Sequence, residues 1–332
     1  MKVAIIGAGT CGLYLAWKLV KKGENITVFE RNSTTGNKIC SGLFSERILE
    51  FIPESQQLIE NEISSVIIHF PKKTVKVNFS KKFLVINHSK LDDLLSSLAQ
   101  TSGAKIILNQ NISELPEGFD SSPKVLGEEF DKIIGCDGAN SFVRKKLGLP
   151  EPLLRLGIQG FINPSTHSTG SGQADSGQVK ENFVESWPCK NGFLWKIPRG
   201  DQIEYGIIAN INEAYKIFND FLEKNKIYLK NVKAKIVPQG LIIAKNREIT
   251  LCGDAAGLTK PWSGGGVIWG LTAADFLIEN FPDFKNYSKK IKKFFLPKIL
   301  TSKILTRSVY FFGFHLPFFL PKNNKVESDF LF

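Results

Sequence analysis

The sequence has few of the residues from which disulfide frameworks and structural metal sites are built. Its five cysteines are an odd number without a Cys-x-x-Cys pair, and its four histidines include no two at metal-ligand spacing. Free thiols in a reducing compartment and no bound metal are therefore expected. Long apolar runs are also missing, since no uncharged stretch approaches the roughly 20 residues that span a bilayer. The chain opens directly on a strand pattern, so we expect no signal peptide.

Charge is distributed unevenly along the 332-residue chain. The net charge is +11, but residues 285–332 contain ten Lys or Arg against two acids, so the remainder is close to neutral. Seven phenylalanines lie among these basic residues between positions 289 and 320. Such a tail suits an amphipathic segment in the interface of an anionic membrane. A C-terminal helix packed on the preceding domain is the alternative, and nucleic acid is not expected because no binding motif accompanies the charge.

The first motif with chemical meaning is at the N-terminus. A β-branched strand, residues 2–6, runs into GAGTCG at 7–12, and a helical pattern and a second strand at 26–29 follow. Glu30 ends that strand. This is the dinucleotide-binding fingerprint, in which glycines let the backbone approach a pyrophosphate and the acid accepts hydrogen bonds from a ribose. An ordinary βαβ turn that ends in a surface glutamate is the alternative.

A second motif lies late in the chain. Residues 249–252 form a short apolar strand pattern, followed by Asp254, Pro261 and the glycine triplet 264–266. A helical pattern begins directly after the glycines. The arrangement predicts a bare helix N-terminus beside one carboxylate, which favours an anion such as a reduced flavin. Asp254 would accept a hydrogen bond from a ribityl hydroxyl.

A third motif, DKIIGCDGANSFVR at 131–144, places Asp137 and Gly138 after a buried strand. A strand that ends in Asp-Gly suits a second contact to a nucleotide at the carboxyl edge of a parallel sheet. By itself the dipeptide indicates only a turn.

These patterns predict a mixed α/β (α+β) fold: a Rossmann-like FAD-binding domain interleaved with an antiparallel-sheet substrate domain. Short alternating strands begin after Pro152, and a low-complexity loop covers 168–178. The hydrophobic fraction of 42% supports a sizeable core, and we find no internal repeat. The predicted domains are 1–154 with 241–280 for FAD (including a hairpin insertion near 64–84), 155–240 for substrate, and 281–332 as a basic, aromatic C-terminal segment.

In order and spacing, the three motifs resemble the para-hydroxybenzoate-hydroxylase-like FAD enzymes and, within them, the geranylgeranyl reductase family. The resemblance covers roughly residues 1–280. Two further stretches carry it: KICSG at 38–42 is similar to that family's Lys-x-Cys-Gly-Gly loop beside the flavin ring, and FLWKIP at 193–198 is similar to its aromatic-x-Trp-x-Phe-Pro strand along the lipid pocket. Ser41 departs from the glycine of the first pattern.

The resemblance assigns roles to individual residues. Cys40 is the candidate catalytic proton donor, with a water as the alternative. His88 stands where the family has an arginine, and a neutral histidine is a weaker phosphate partner. The implied cofactor-binding residues are Gly7, Gly9, Cys11, Gly12, Glu30, Cys40, Gly42, His88, Ile112, Asp137, Gly138, Asp254, Gly264, Gly266 and Val267. The implied substrate-binding residues are Phe193, Trp195, Pro198 and Trp262.

The resemblance implies an FAD-dependent reductase that saturates isoprenoid (geranylgeranyl) double bonds of a lipid or lipid precursor. Aromatic residues between 161 and 195, with few charges among them, favour a long apolar tunnel over a pocket for a small polar ring. A flavin-dependent monooxygenase of the same fold and a membrane-docked electron-relay flavoprotein are the alternatives. No second nucleotide motif identifies the electron donor, so NAD(P)H and ferredoxin both stay open, as does the oligomeric state. The expected location is cytoplasmic, peripheral on the inner face of the membrane.

Overall fold

The computed structural model describes residues 1–36, 40–115, 124–163, 181–327 and 329. The predicted low-complexity loop at 168–178 lies outside the described residues, as do Lys38 and Ile39 of the predicted flavin loop. Cys40, Ser41 and Gly42 are described.

Strands and helices alternate through the first half of the chain, and one long helix dominates its end. The strands are β1 Lys2–Ile6, β2 Asn25–Phe29, β3 Leu43–Ser45, β4 Ile59–Phe70, β5 Lys73–Ile86, β6 Lys105–Ile107, β7 Lys124–Val125, β8 Glu128–Glu129, β9 Lys132–Gly135, β10 Leu153–Ile162, β11 Phe183–Cys189, β12 Gly192–Arg199, β13 Gln202–Ala209, β14 Lys230–Gln239, β15 Ile249–Leu251 and β16 Asn323–Val326. The helices are α1 Thr10–Val20, α2 Ile48–Phe51, α3 His88–Thr101, α4 Phe142–Lys146, α5 Ala214–Lys224, α6 Val267–Asn280 and α7 Phe284–His315, with short 3₁₀ turns at Pro53–Leu58, Gly253–Ala256 and Pro317–Phe319.

The chain divides into two compact units. The first unit comprises residues 1–38, 88–154 and 237–303, and the second comprises 39–87, 155–236 and 304–332. This division differs from the predicted boundaries at several places. The hairpin assigned to the FAD domain belongs to the second unit, because β4 pairs with β11 there. The C-terminal segment is divided between the units. The part of α7 up to residue 303 belongs to the first unit, and the rest of α7 belongs to the second.

The first unit contains a parallel sheet of five strands in the order β15-β9-β1-β2-β6. Its central strand β1 is buried from Val3 to Ile6, because a parallel sheet covered by helices reads as a continuous apolar run. α1 packs against α3 and α6. The carboxyl ends of β1, β2, β9 and β15 therefore bring the three sequence motifs to one edge of the sheet, which confirms the predicted Rossmann-like fold.

The second unit contains a mixed sheet in the order β14-β10-β13-β12-β11-β4-β5-β16, with β3 paired to β5. Most pairs are antiparallel, as predicted, but β11 pairs with β4 and β16 with β5 in parallel. The hairpin predicted near 64–84 is the outer part of the longer β4–β5 pair. One face of the sheet packs on α5, where Phe218 meets Leu194 and Ile207.

The first part of α7 is a packed structural helix. Phe284, Tyr287, Ile291 and Phe295 are buried at helical spacing, and the Tyr287 hydroxyl donates to the Leu251 carbonyl at 3.0 Å. The packed-helix alternative therefore describes this part of the tail. In the described residues, no helix is both long and apolar enough to cross a membrane.

We expect Phe295→Ala to lower the free energy of unfolding by about 3 to 5 kcal/mol, because it removes a buried ring that packs on Trp269 at a centroid distance of 5.2 Å. Urea denaturation of the purified protein measures the change. Leu296→Ala is the matched control, since its side chain is 38% exposed and should change stability by no more than about 0.5 kcal/mol. Equal effects of the two substitutions would contradict the packing of α7.

Candidate active site

The turn from β1 into α1 requires glycine at two positions. Gly7 has φ +105°, and a Cβ there would lie 2.5 Å from the Cys136 carbonyl oxygen. A Cβ on Gly12 would lie 2.1 Å from the Gly7 carbonyl oxygen. Gly9 is the N-cap of α1, and no side chain caps the helix. The helix N-terminus is thus left bare, with its positive dipole end available for a phosphate.

Cys11 lies in this turn, and its side chain is directed away from the turn. Its sulfur lies 2.7 Å from the position of a Cβ on Gly253 and 2.5 Å from that of a Cβ on Gly270. The side chain therefore packs back against the late motif, and both glycines are required to make room for it.

Glu30 is held as an oriented acceptor at the end of β2. Its Oε2 accepts from the Ala8 backbone N–H at 2.8 Å, and its Oε1 accepts from the Asn32 backbone N–H at 3.0 Å and side-chain amide at 2.6 Å. An ionised carboxylate has about four acceptor positions, so capacity remains for ribose hydroxyls. The Gln110 backbone N–H donates to the Glu30 carbonyl at 2.8 Å, which ties the segment that carries buried Ile112 to the same site.

His88 lies next to the first turn of α1. It belongs there to a cluster of buried polar side chains that was not predicted from the sequence. The Thr10 hydroxyl donates to Asp92 Oδ1 at 2.6 Å and lies 2.9 Å from His88 Nε2. Because Thr10 has a single hydroxyl hydrogen, the proton between it and His88 belongs to Nε2. His88 therefore fixes the N-terminal turn of α1 through Thr10, and Asp92 Oδ2 lies 3.5 Å from its Nε2.

Asp137 ends β9 at the same sheet edge. Its Oδ2 accepts from the Val143 backbone N–H at 3.0 Å, while its Oδ1 is buried without a hydrogen-bond partner among the described residues. Burial raises the pKa of Asp137, and hydrogen bonds from Ser141 and from backbone N–H groups oppose that rise. A buried oxygen of this kind would be satisfied by a donor on a bound nucleotide. Gly138 beside it has φ +84° and open space at its Cβ position.

The late motif has the predicted geometry. Gly266 is the N-cap of α6 without a side-chain cap, and Val267 begins the helix. A Cβ on Gly266 would lie 2.9 Å from Asp254 Oδ1, so the carboxylate lies directly beside the bare helix N-terminus. Gly264 has φ +69°, and its N–H donates to the Lys260 carbonyl at 2.9 Å, which closes the preceding loop.

The predicted substrate residues are divided between the two units. Trp262 belongs to the first unit, where it meets fully buried Trp269 edge-on at 5.8 Å. Phe193, Trp195 and Pro198 lie on β12 of the second unit. Because side chains alternate along a strand, Phe193 and Trp195 share one face and Pro198 is on the other.

The Cys40–Gly42 loop of the second unit is fastened to the sheet by two side chains. Gln159 donates to the Cys40 carbonyl at 3.2 Å, and Arg199 donates to the Ser41 carbonyl at 3.1 Å. Gly42 has φ +64°, and a Cβ there would lie 2.8 Å from Arg199 Nη2. Its N–H points to Cys40 Sγ at 3.5 Å. Glycine at 42 is thus required by both the backbone and the neighbouring guanidinium.

Trp195 lies flat against the sheet. A Cβ on Gly206 would lie 2.2 Å from the indole ring, so the ring occupies the space that a side chain at position 206 would need. The indole N–H donates to Glu204 Oε1 at 2.9 Å. Phe193 extends the aromatic surface at a centroid distance of 5.9 Å from Trp195.

A buried ionic cluster on this face corrects the expectation of few charges in the second region. Arg199 pairs with Glu204 at 3.0 Å and with Glu60 at 3.1 Å, and Glu204 is 0% exposed. Burial raises the pKa of Glu204 to about 7, although Arg199 and Trp195 favour its ionised form. Sequence alternation could have located Glu204, because it shares the face of Gly206 two residues on.

Comparison with known proteins agrees with these features. Residues 1–159 match the family model described as an FAD binding domain. The chain is 26% identical over 314 residues to the digeranylgeranylglycerophospholipid reductase of Methanococcus vannielii, a match that covers 87% of this chain and 79% of the relative. The structure of this chain is similar to that of a geranylgeranyl bacteriochlorophyll reductase-like protein from Thermoplasma acidophilum, with a TM-score of 0.74 and 19% identity. The match covers 93% of this chain and 87% of the other. The chain is therefore an FAD-dependent oxidoreductase that is similar to geranylgeranyl reductases.

More distant members of the same fold carry out other chemistry. The flavin-dependent brominase Bmp2 aligns with TM-score 0.71 and 12% identity over 96% of this chain and 88% of its own. At this identity the likeness shows the fold alone.

FAD is the cofactor of this flavoprotein, and the described residues fit it. Two bare helix N-termini, at Gly9 and Gly266, would face anionic groups, and Glu30 offers an oriented acceptor for a ribose. Asp137 Oδ1 is a buried oxygen that a bound nucleotide would satisfy. Each of these residues belongs to the first unit.

Glu30→Ala should weaken FAD binding by about 10- to 150-fold, because a hydrogen bond to an ionised acceptor contributes about 1.5 to 3 kcal/mol. Titration of the apoprotein with FAD, followed by flavin fluorescence, measures this. Glu129→Ala is the control, since this exposed carboxylate pairs with Lys124 at 3.2 Å in the same unit. Wild-type protein that takes up no added FAD, or two variants with equal affinity, would refute the assignment.

Proposed function

We propose that this flavoprotein is a reductase that saturates isoprenoid (geranylgeranyl) double bonds of a lipid or lipid precursor. One observation carries the proposal: the two stretches that resemble the reductases meet on one sheet face. Arg199 on β12 donates to the Ser41 carbonyl in the Cys40–Gly42 loop, and Trp195 lies on the same strand. The similarity to reductases of digeranylgeranylglycerophospholipid supports the same substrate class.

The aromatic face of β12 is suited to an isoprenoid chain. The Trp195 N–H is already satisfied by Glu204, so the ring can present an apolar surface without an unpaired donor. Such a surface binds by area, at about 25 cal/mol per Å² of apolar surface buried. Phe193 beside it adds to that surface.

The reaction requires a hydride and a proton. When bound, reduced FAD supplies the hydride to one alkene carbon. Cys40 is proposed to give the proton to the other carbon, with a water as the alternative donor. The hydrogen bonds from Gln159 and Arg199 to the backbone of the Cys40–Gly42 loop would hold the thiol in position.

Anaerobic reduction tests the reaction. Dithionite-reduced enzyme should add one H₂ per double bond to a geranylgeranyl lipid, detected by mass spectrometry. Oxygen consumption that yields a hydroxylated product, without anaerobic hydrogenation, would favour the monooxygenase. NAD(P)H and reduced ferredoxin can then be compared as physiological donors in the same assay.

Trp195→Ala should lower kcat/KM by about 10- to 100-fold while FAD affinity changes little, because it removes apolar surface worth about 1.5 to 3 kcal/mol to a bound chain. Trp187→Ala is the matched control. That tryptophan lies on the other face of the same sheet, where it stacks on His69 at 5.1 Å. A greater loss for Trp187→Ala than for Trp195→Ala would show that the aromatic face of β12 is not the substrate surface.

We also propose that the end of the chain binds a membrane surface. In the second unit, the end of α7 is attached along one side: the Tyr310 hydroxyl donates to the Gly192 carbonyl at 2.8 Å, and Gly313 packs against the Phe70 ring. Away from that attachment, Phe311, Phe318 and Phe319 are 53%, 70% and 63% exposed. Exposed aromatics within a basic segment suit the interface of an anionic bilayer, where lipid-bound isoprenoids reside.

Replacing Phe311, Phe318 and Phe319 together by serine should reduce flotation with phosphatidylserine-containing vesicles at least about 10-fold, because three apolar side chains no longer enter the interface. Point substitutions are preferred to truncation near residue 280, since buried Phe295 lies beyond that point. The control replaces Tyr215 and Tyr228, which are 54% and 77% exposed, by serine. Unchanged flotation of the triple variant would remove the membrane role from these phenylalanines.

A further inference from the structure

Glu204 is a buried acid that has no role in the proton and hydride transfers described above. It lies on β13 with 0% exposure, and its two oxygens accept from the Trp195 indole N–H at 2.9 Å and from Arg199 Nη1 at 3.0 Å. A structural carboxylate would be neutralised by its arginine alone, but this arginine is shared. Arg199 also pairs with Glu60, at 3.1 Å, so two acids of the described residues share this arginine.

The same arginine reaches the Cys40–Gly42 loop. Its Nη1 donates to both Glu204 and the Ser41 carbonyl, at 3.0 and 3.1 Å, and its Nη2 lies against Gly42. The neighbouring strand β10 contributes Gln159, which donates to the Cys40 carbonyl at 3.2 Å. Glu204 and Cys40 are therefore held by the same sheet face through a single guanidinium. Among the described residues, the charged and titratable groups around Glu204 include Arg199, Glu60 and Cys40.

We propose that Glu204 controls the protonation of the Cys40 thiol. As a carboxylate it disfavours the thiolate that each saturation leaves, because it places a like charge on the sheet face that holds the Cys40–Gly42 loop. The inference rests on the proposed function only for the origin of the thiolate. Glu204 is then a positioning residue for the proton, because Glu204 acts through Cys40 and does not contact the substrate.

The proton balance of the step is complete. The Cys40 S–H bond breaks as its proton joins the alkene carbon, and the hydride comes from reduced FAD. Water then returns a proton to the thiolate sulfur, and ionised Glu204 favours this step because it disfavours a charged sulfur nearby. Burial and the nearby Cys40 charge raise the pKa of Glu204 to about 7, so both forms of the acid are accessible near neutral pH.

The test measures the Cys40 thiol without any lipid. FAD-loaded, oxidised enzyme is alkylated with iodoacetamide between pH 6 and 10, and the peptide that carries Cys40 is followed by mass spectrometry. Glu204→Gln should lower the midpoint of the pH–rate curve by roughly one unit, because a like charge beside the thiolate is removed while Arg199 remains. Glu204→Asp should bring the midpoint back toward that of the wild type.

Glu60→Gln is the matched control. It removes the other carboxylate of Arg199, by an equally isosteric change, without altering the group proposed to face the thiol. Its midpoint should stay within about 0.3 unit of the wild type. If Glu60→Gln shifts the midpoint as much as Glu204→Gln, the shift comes from a change in the position of Arg199. The proposal is then wrong. An unshifted midpoint in folded Glu204→Gln also overturns it, whichever substrate the enzyme reduces.

Discussion

The buried charge of Arg199 is the interaction on which the second unit depends. A single guanidinium donates to Glu204, Glu60, the Ser41 carbonyl and the Ile86 carbonyl. These partners belong to β13, β4, the Cys40–Gly42 loop and the end of β5, elements far apart in sequence. Removing one partner of such a buried ionic group typically costs 3–5 kcal/mol, because the remaining charges stay desolvated. The cluster therefore couples the stability of the sheet to the position of the loop.

A different constraint governs the first unit, where the absence of side chains is the functional feature. Gly7 and Gly12 are fixed by contacts of 2.5 and 2.1 Å that any Cβ would make with the backbone. Gly266 is restricted by the Asp254 carboxylate in the same way. These glycines leave two helix N-termini without a side-chain cap, so an anion could bind there through backbone geometry and without a basic side chain. A pyrophosphate site of this kind would need no arginine at the position of His88.

The local parts of the fold could be predicted from the sequence. β1, α1 and β2 follow directly from an apolar run, a glycine turn and helical spacing, and each of these signals lies within a few residues. For the second sheet, only its mainly antiparallel character could be predicted. Its β4–β11 pairing joins Ser65 to Phe183, and no local pattern specifies a partner so distant in sequence. The ionic cluster was missed for the same reason, because Glu60, Arg199 and Glu204 become neighbours only after three strands have paired.

The C-terminal segment shows why its charge alone could not decide between a packed helix and a membrane surface. Lys290 and Lys298 lie over the Phe276 and Phe294 rings at 4.5 and 4.6 Å, so their stems cover a packed helix while their charges stay in water. Basic residues are thus compatible with structural packing as well as with lipid. What distinguishes the last part of the chain is aromatic exposure, which carries no benefit in water. Long-range attraction by the lysines would bring the enzyme to an anionic surface, but only the phenylalanines could hold it there once salt screens that attraction.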